Sequence, residues 1–537
     1  MTDVRAVASR PSRERRRRRT VTPLGLVTLA GLLFGVLTVV TVGLDRELRW
    51  DEVTYLAQVT PGQTDVWFGP QRARGMSLVA LPVALLGAPL TLLRLWLVLV
   101  SSVALVLAFR PWARFAGWTG GAAAVVAAVG WVPQYFAVEL YPNLLAGLAA
   151  VATAGHLVVW CRDRRPRDLA ATALALAVVA WLRPAESVWL AFGLTPVLLV
   201  LAGRRSLRGL LALAVGGFVG WLPWLVEAIV RFGGPFARLG AAAGESASGA
   251  DRDQLIQYLN LVEGPVRQVT AEPVLTYRAL ALLVGLALLA LLGVVQRLDR
   301  ERRVAALAGL VTAAATATPY LVLNAGVNLR YVLPAMLLAT LPVGAGVTTV
   351  VAALRRSRAR ATSVVVLVVA LVVVGWQGVL ARVNSEQIAP LQARARGLGE
   401  ALAEQADGAP CAFVSETQWP EIQWHSGCLG EVLHLDAPLL QCHDARRDLA
   451  ALAEDGHRVF ALARGRPPAG EGLAGWDVRP VEDVEDGGWG LYERPADLGP
   501  TDPPTIPDPA DSPTPCPPSR APDASDARLE LRWDRPA

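Results

Sequence analysis

The stretch LGLVTLAGLLFGVLTVVTVGLDRELRWDEVTY, residues 24–55, decides the fold. Its first part, Leu24 to Leu44, is an apolar run of the length needed to cross a bilayer. Ahead of it lies Arg15 to Arg19, a basic run of the kind that stays in the cytoplasm. The run therefore delivers Asp51 and Glu52, in Leu48-Arg49-Trp50-Asp51-Glu52-Val53-Thr54-Tyr55, to the outer surface. Its flank, Asp45-Arg46-Glu47, has no small-residue cleavage site, so the segment reads as a retained anchor and not as a signal peptide.

The rest of the chain repeats this design. Of its 537 residues 53% are hydrophobic and 18% charged, and the mean hydropathy is +0.39. A soluble chain of this length would show lower apolar content. The class is an all-α polytopic membrane protein. The sequence contains no lysine, so with histidine neutral its basic charge is all arginine. A net charge of +5 spread over short loops does not point to nucleic acid. The basic loops are Arg110–Arg114, Arg162–Arg167, Arg204–Arg208, Arg297–Arg303 and Arg355–Arg360. If all face the cytoplasm, the number of crossings between them is even.

That parity gives spans at roughly 24–44, 89–109, 119–137, 143–160, 168–182, 187–202, 209–227, 278–296, 304–323, 331–353 and 362–381, about eleven in all. The N-terminus is then cytoplasmic and the C-terminus extracytoplasmic. Gly75 to Gly87 is apolar but too short to span, and reads as an interfacial or re-entrant helix with a bend at Pro82. Residues 228–277 form a long outer stretch, and its Gly/Ala/Ser-rich part, Gly240 to Ala250, reads as a mobile loop. The domain plan is a basic N-terminus over 1–23, a transmembrane domain over 24–381, a small extracytoplasmic α/β domain over 384–495 and a Pro-rich disordered tail over 496–537. In the α/β domain, Cys411–Glu416 and Arg458–Ala463 read as strands and Arg446–Glu454 as a helix.

The topology gathers a set of polar residues at the outer face. Asp51 and Glu52 stand in the first outer loop, with Arg72 and Arg74 further along it. Arg94 falls near the outer end of the second span, where snorkelling to the interface is its ordinary role. Glu139, Tyr141 and Asn143 form one outer turn, Arg183 and Glu186 another, and Arg330 and Tyr331 open the tenth span. Charges at embedded helix ends are costly and need partners or a function. A carboxylate can take a proton from an attacking hydroxyl, and arginine presents planar donors matched to phosphate oxygens. By spacing alone, the same residues also fit interfacial anchors and lipid head-group contacts. Of the cysteines, Cys161 is a free packing residue, while two of Cys411, Cys428 and Cys442 pair outside the membrane, where Cys516 also lies. A zinc site from His425, Cys428, Cys442 and His443 is the less favoured reading, because the spacing matches no zinc motif.

In order and placement these motifs resemble the GT-C superfamily of membrane glycosyltransferases, and within it the branch of protein O-mannosyltransferases and the lipid A aminoarabinose transferase. The matching pieces are Trp50-Asp51-Glu52-Val53-Thr54-Tyr55 after the first span, and Gly87 to Leu95 with its Arg94-Leu95 opening the second. Glu139-Leu140-Tyr141-Pro142-Asn143 follows the third span, and Arg330-Tyr331-Val332-Leu333-Pro334 opens a late one. The resemblance covers about residues 20–381. It implies transfer of a sugar from a polyprenyl-phosphate donor to a lipid, glycan or protein hydroxyl on the outer side. Asp51 and Glu52 would be the catalytic pair, with Asp51 the base. Arg330, with Arg183, would bind the donor phosphate, and Arg72, Arg74, Glu139 and Tyr331 would complete the substrate site. No cofactor is expected. A divalent metal is left open, since relatives often carry an acidic residue where Asn143 stands. The competing classes are a polytopic transporter or flippase, and a non-catalytic envelope assembly protein. Against the transporter, no internal repeat is visible and the charges gather at one face.

Overall fold

The computed structural model of the chain describes residues 22–495 apart from 64–65, 67, 246–253, 265–275, 297–298, 324–326, 358–359, 416–418, 433–451, 465–476 and 482–487. The basic run Arg15–Arg19, Cys442, His443, Cys516 and the tail 496–537 lie outside the described residues.

Helix α1, Pro23–Thr41, starts where Thr22 accepts the Gly25 amide at 3.0 Å and Pro23 fills the first position, which needs no N–H. Short helices follow: α2, Trp50–Ala57, and α3, Gly75–Ala84, a ten-residue apolar helix that runs through Pro82. Next come α4, Leu90–Ala116; α5, Trp118–Val129; α6, Trp131–Ala137; and α7, Pro142–Asp163. Helices α8, Pro166–Leu182, and α9, Pro184–Ala202, each begin on a proline, and only Arg183 separates them. Then come α10, Ser206–Phe232; α11, Pro235–Glu245; α12, Gln254–Asn260; α13, Tyr277–Val295; α14, Arg300–Thr318; α15, Leu329–Ser357; and α16, Arg360–Glu386.

Among the described residues, eight apolar stretches are long enough to cross a bilayer, or nine counting the bent pair α5–α6 as one span. One stretch, Pro184–Phe232, holds both α9 and α10, and α8 with 17 residues lies at the short end of the range. Each expected span thus coincides with a helix or a bent pair. The third departs from a straight helix: it bends by 67° at Gly130, which is extended, and Pro133 in the next turn offers no amide to continue the ladder. The expected mobile segment also differs, because residues 240–245 are helical within α11 and only 246–250 lie outside the described residues. Val364, Val365, Leu367, Val368, Val369, Leu371 and Val372 on α16 are all more than half exposed, an outer surface suited to hydrocarbon and not to water. The chain is a multi-pass membrane protein.

Small residues let the helices approach closely. A Cβ on Gly216 of α10 would come 2.3 Å from the Ala173 carbonyl of α8. One on Gly147 of α7 would come 2.8 Å from Leu337 and 3.0 Å from Pro334, so glycine seats the start of α15 beside the start of α7.

Beyond α16 lie α17, Ala389–Ala406; β1, Cys411–Ser415; α18, Trp419–Ser426; and β2, Leu429–Val432. Then follow β3, Arg458–Arg464; β4, Asp477–Pro480; and β5, Trp489–Glu493. Both strands expected from the sequence are present. Of the helix expected at Arg446–Glu454, only 452–454 is described, and it is helical. The sheet order is β2-β1-β3-β5-β4, parallel among β2, β1 and β3 and antiparallel at β5 and β4. A disulfide joins Cys411 to Cys428. It takes Cys428 out of the alternative zinc set. The apolar core is continuous across the junction: Leu48, Val53 and Leu56 pack in one cluster with Leu398, Phe413 and Ile422.

Candidate active site

Adjacent positions on a helix point about 100° apart, so Asp51 and Glu52 serve different surroundings. Glu52 turns inward and is completely buried. One carboxylate oxygen accepts the Leu140 amide at 2.7 Å and an Arg94 N–H. The other accepts the Arg49 amide at 3.0 Å, which satisfies the N-cap residue of α2, and a second Arg94 N–H at 3.1 Å. Arg94 does not snorkel. It is fully buried and also donates to the Val138 and Glu47 carbonyls at 2.7 and 2.8 Å. Its position at an apolar helix end suggested the interface, but the folded-back first loop offers it a carboxylate and carbonyls inside.

Glu139 lies in the same buried layer, ion-paired with Arg46 at 2.8 Å. Arg46 also donates to the Tyr135 hydroxyl at 2.9 Å. Burial raises the Glu52 pKa, with the charge of Glu139 adding to the rise against the pull of Arg94. At Glu139 burial acts in the same sense, but Arg46, Arg49 and Arg94 outweigh it and hold the carboxyl below its usual range.

Asp51 turns outward, with its side chain 17% exposed. Arg72 holds its Oδ1 at 2.6 Å and Arg330 holds its Oδ2 at 2.5 Å. Burial would push the Asp51 pKa up, yet Arg330 and then Arg72 override it and hold the carboxyl well below the usual carboxylate range. The Arg330 guanidinium lies over the rings of Tyr141 at 4.7 Å and Tyr331 at 5.1 Å. Tyr331 stacks on Tyr320 with centroids 5.3 Å apart and rings 9° from parallel. Arg183 donates to the Tyr320 hydroxyl at 2.7 Å and to Glu186 at 2.9 Å, and the same hydroxyl donates to Glu186 at 2.9 Å. Asp51, Arg330, Tyr331, Tyr320, Arg183 and Glu186 thus form one continuous chain of contacts.

Arg72 is steadied from behind. Arg238, fully buried between the rings of Trp224 and Phe232, donates to the Arg72 carbonyl at 2.8 Å and pairs with Glu227 at 3.0 Å. Arg74 does not join the Asp51 cluster. It pairs with Glu227 at 2.7 Å, donates to Gln58 at 2.9 Å and lies over Phe68.

Of the residues singled out by sequence, the structure therefore brings together Asp51, Arg72, Arg183, Arg330 and Tyr331. It places Glu52 and Glu139 in the buried layer beneath and Arg74 to one side. Tyr320, Arg238 and Arg49 escaped the sequence reading. Tyr320 sits in a π-helical turn, Pro319–Leu323, inside an otherwise apolar span. The one sequence signal was Pro319, which removes a helical amide just where the chain must widen.

Among the described residues, three guanidiniums, Arg72, Arg183 and Arg330, meet two carboxylates, Asp51 and Glu186, beside the rings of Tyr141, Tyr331 and Tyr320. Such a site is suited to an anionic group carrying an apolar or sugar body. Among the described residues no cluster of three or more His, Cys, Asp or Glu is placed to hold a metal ion.

No family model matches the chain, and no curated protein matches its sequence. Solved structures do. The structure of ArnT, an aminoarabinose transferase, from Cupriavidus metallidurans bound to undecaprenyl phosphate aligns with a TM-score of 0.58 at 12% identity, covering 87% of this chain and 98% of that one. The apo form of the same protein aligns with a TM-score of 0.58 at 13% identity, over 88% and 98%. The Archaeoglobus fulgidus oligosaccharyltransferase in complex with Zn and sulfate aligns with a TM-score of 0.50 at 14% identity, over 81% of this chain and 67% of that one. Both proteins are GT-C superfamily members, and the fold of this chain is like theirs: a GT-C-like helical membrane domain followed by a small α/β domain.

Proposed function

We propose that this chain is a membrane glycosyltransferase that moves a sugar from a polyprenyl-phosphate-linked donor to an acceptor hydroxyl on the outer face of the membrane. The observation that carries the reading is the double clamp on Asp51 by Arg72 and Arg330. A carboxylate so held is ionised but a poor base. A donor phosphate competes for the same two guanidiniums, with Arg183 as a third. Once they turn to the phosphate, Asp51 loses its partners and its basicity rises toward that of an ordinary carboxylate, with a pKa of about 4. Binding of the donor thus prepares the base.

The acceptor oxygen then attacks the anomeric carbon, and Asp51 takes the hydroxyl proton as the new C–O bond forms. The bond from the anomeric carbon to the phosphate oxygen breaks, and its electron pair leaves with the polyprenyl phosphate, whose charge Arg330 and Arg72 hold. Glu52 anchors the helix that presents Asp51. The undecaprenyl phosphate bound to ArnT supports the donor class. In this reading the N-terminus is cytoplasmic, the C-terminus is extracytoplasmic, and the acceptor is a lipid, glycan or protein hydroxyl.

The test is to supply radiolabelled polyprenyl-phosphate sugars to membranes with and without the protein, and with Asp51→Asn. That variant keeps the size of the side chain and removes the base, so transfer should fall by roughly two to four decades while insertion is unchanged. Near wild-type turnover in Asp51→Asn would make Asp51 an anchor and defeat the reading.

A further inference from the structure

The α/β domain does more than hang from α16. Its helices α17 and α18 close on the loop that leads into α2. Gln392 of α17 donates to the Glu47 carbonyl at 2.6 Å, and Arg396 pairs with the Glu47 carboxylate at 2.8 Å. His425 of α18 approaches the same carboxylate at 3.9 Å. One turn back along α18, Glu421 lies only 6% exposed and accepts its own backbone N–H together with that of Trp50, the first residue of α2. Its neighbour Ile422 is fully buried in the apolar cluster that contains Leu48 and Val53. The first turn of α2 is therefore held from two directions. Glu52 of the same helix satisfies the Arg49 amide, and Glu421 of the other domain satisfies the Trp50 amide. The second carboxyl oxygen of Glu421 is buried and has no hydrogen-bond partner among the described residues.

A surface carboxylate would not be placed so deep merely to cap a short helix, because burying one costs several kcal/mol unless it is matched by partners. Here the buried group meets the one turn whose orientation aims Asp51. We propose that the α/β domain completes the catalytic centre, and that Glu421 is a positioning residue which fixes the first turn of α2 and so the direction of Asp51. The inference rests on the reading of Asp51 as the base. The charged groups that face Glu421 from α2 are Arg49 and Asp51, while on its own helix His425 stands one turn away. Burial raises the Glu421 pKa to about 7, so its charge changes in the working range and is felt at Asp51.

Three variants of the full chain in detergent decide the matter. Glu421→Gln keeps an oxygen that accepts the Trp50 amide and loses the titration. Glu421→Asp keeps the charge and loses the reach. Glu421→Ala loses both. Hydrogen exchange across residues 45–57 needs no substrate. It should rise about fivefold in the Ala and Asp variants and stay near wild type in Gln, since a lost cap costs about 1 kcal/mol and tenfold is about 1.4. With a polyprenyl-phosphate sugar as donor, kcat in the Ala and Asp variants should fall at least about tenfold, with donor KM within about twofold. The wild-type pH–rate profile should carry a shoulder near pH 7 that Gln lacks. If the Ala variant does not fold, Asp and Gln give the same contrast. Wild-type exchange over 45–57 in Asp and Ala overturns the proposal, as does a rise spread evenly over the α/β domain with α2 unchanged. If Asp51→Asn retains turnover, the reading of the base fails, and the exchange data alone still decide whether Glu421 holds α2.

Discussion

Glu52→Gln should damage the fold far more than Asp51→Asn, although the two carboxylates are neighbours in sequence. Glu52 is completely buried against Arg94, which is itself buried, and its two oxygens serve the amides of Arg49 and Leu140. A glutamine keeps one acceptor and turns a donor toward groups that are already donors. It leaves Arg94 without its counter-charge, a loss of about 3–5 kcal/mol when one partner of a buried pair is removed. One orphaned amide adds about 1–3 kcal/mol. The Val138 and Glu47 carbonyls still hold Arg94, so the low end of the two together, about 4 kcal/mol, is the working figure. In a heat-and-recover assay in detergent, the midpoint for remaining monodisperse protein should drop on the order of 5–10 °C. Asp51→Asn should move it little, because the Asp51 side chain and its two arginines are reached by water. A Glu52→Gln midpoint within about 1 °C of wild type, or a larger drop in Asp51→Asn, would refute the assignment of Glu52 to architecture.

Arg330→Lys keeps the charge and loses the planar fork, so donor KM should rise several-fold, and Arg330→Ala should raise it further; unchanged KM in a folded Arg330→Ala would move the phosphate site to Arg183. A phosphatase reporter fused after residue 390 should be active and a cytoplasmic-type reporter at the same place silent, as the parity of the five basic loops predicts; the opposite pattern would invert every face assignment.

The helices were legible because hydropathy is a local property: each expected span met a helix. The bend at Gly130 was not, since a glycine and a proline inside an apolar run read equally well as a tolerated kink. At the site, the sequence reading brought Asp51 and Arg330 to the same face from loop placement alone. It named Asp51 the base but kept Glu52 in the catalytic pair, because which of two adjacent carboxylates turns inward depends on Arg94, Leu140 and Arg49, which meet only after folding. Arg74 was grouped with Arg72 by proximity in the chain, yet two positions along this loop are enough to face Glu227 in place of Asp51. The docking of α18 on α2 was hidden for the same reason, at a separation of several hundred residues.

The absence of lysine now has a chemical meaning. Every cation around Asp51 is a guanidinium, and a guanidinium does not give up its proton at any pH a bilayer survives. A lysine-built phosphate cradle would fade in alkali as its ammonium groups neutralised. This one cannot be switched off from that side. The electrostatic field at the mouth is therefore a fixed background, and acidity can act on the centre only through its carboxyls and tyrosines. If the proposed function holds, the grip on an anionic lipid stays constant across pH while the proton-handling groups alone respond.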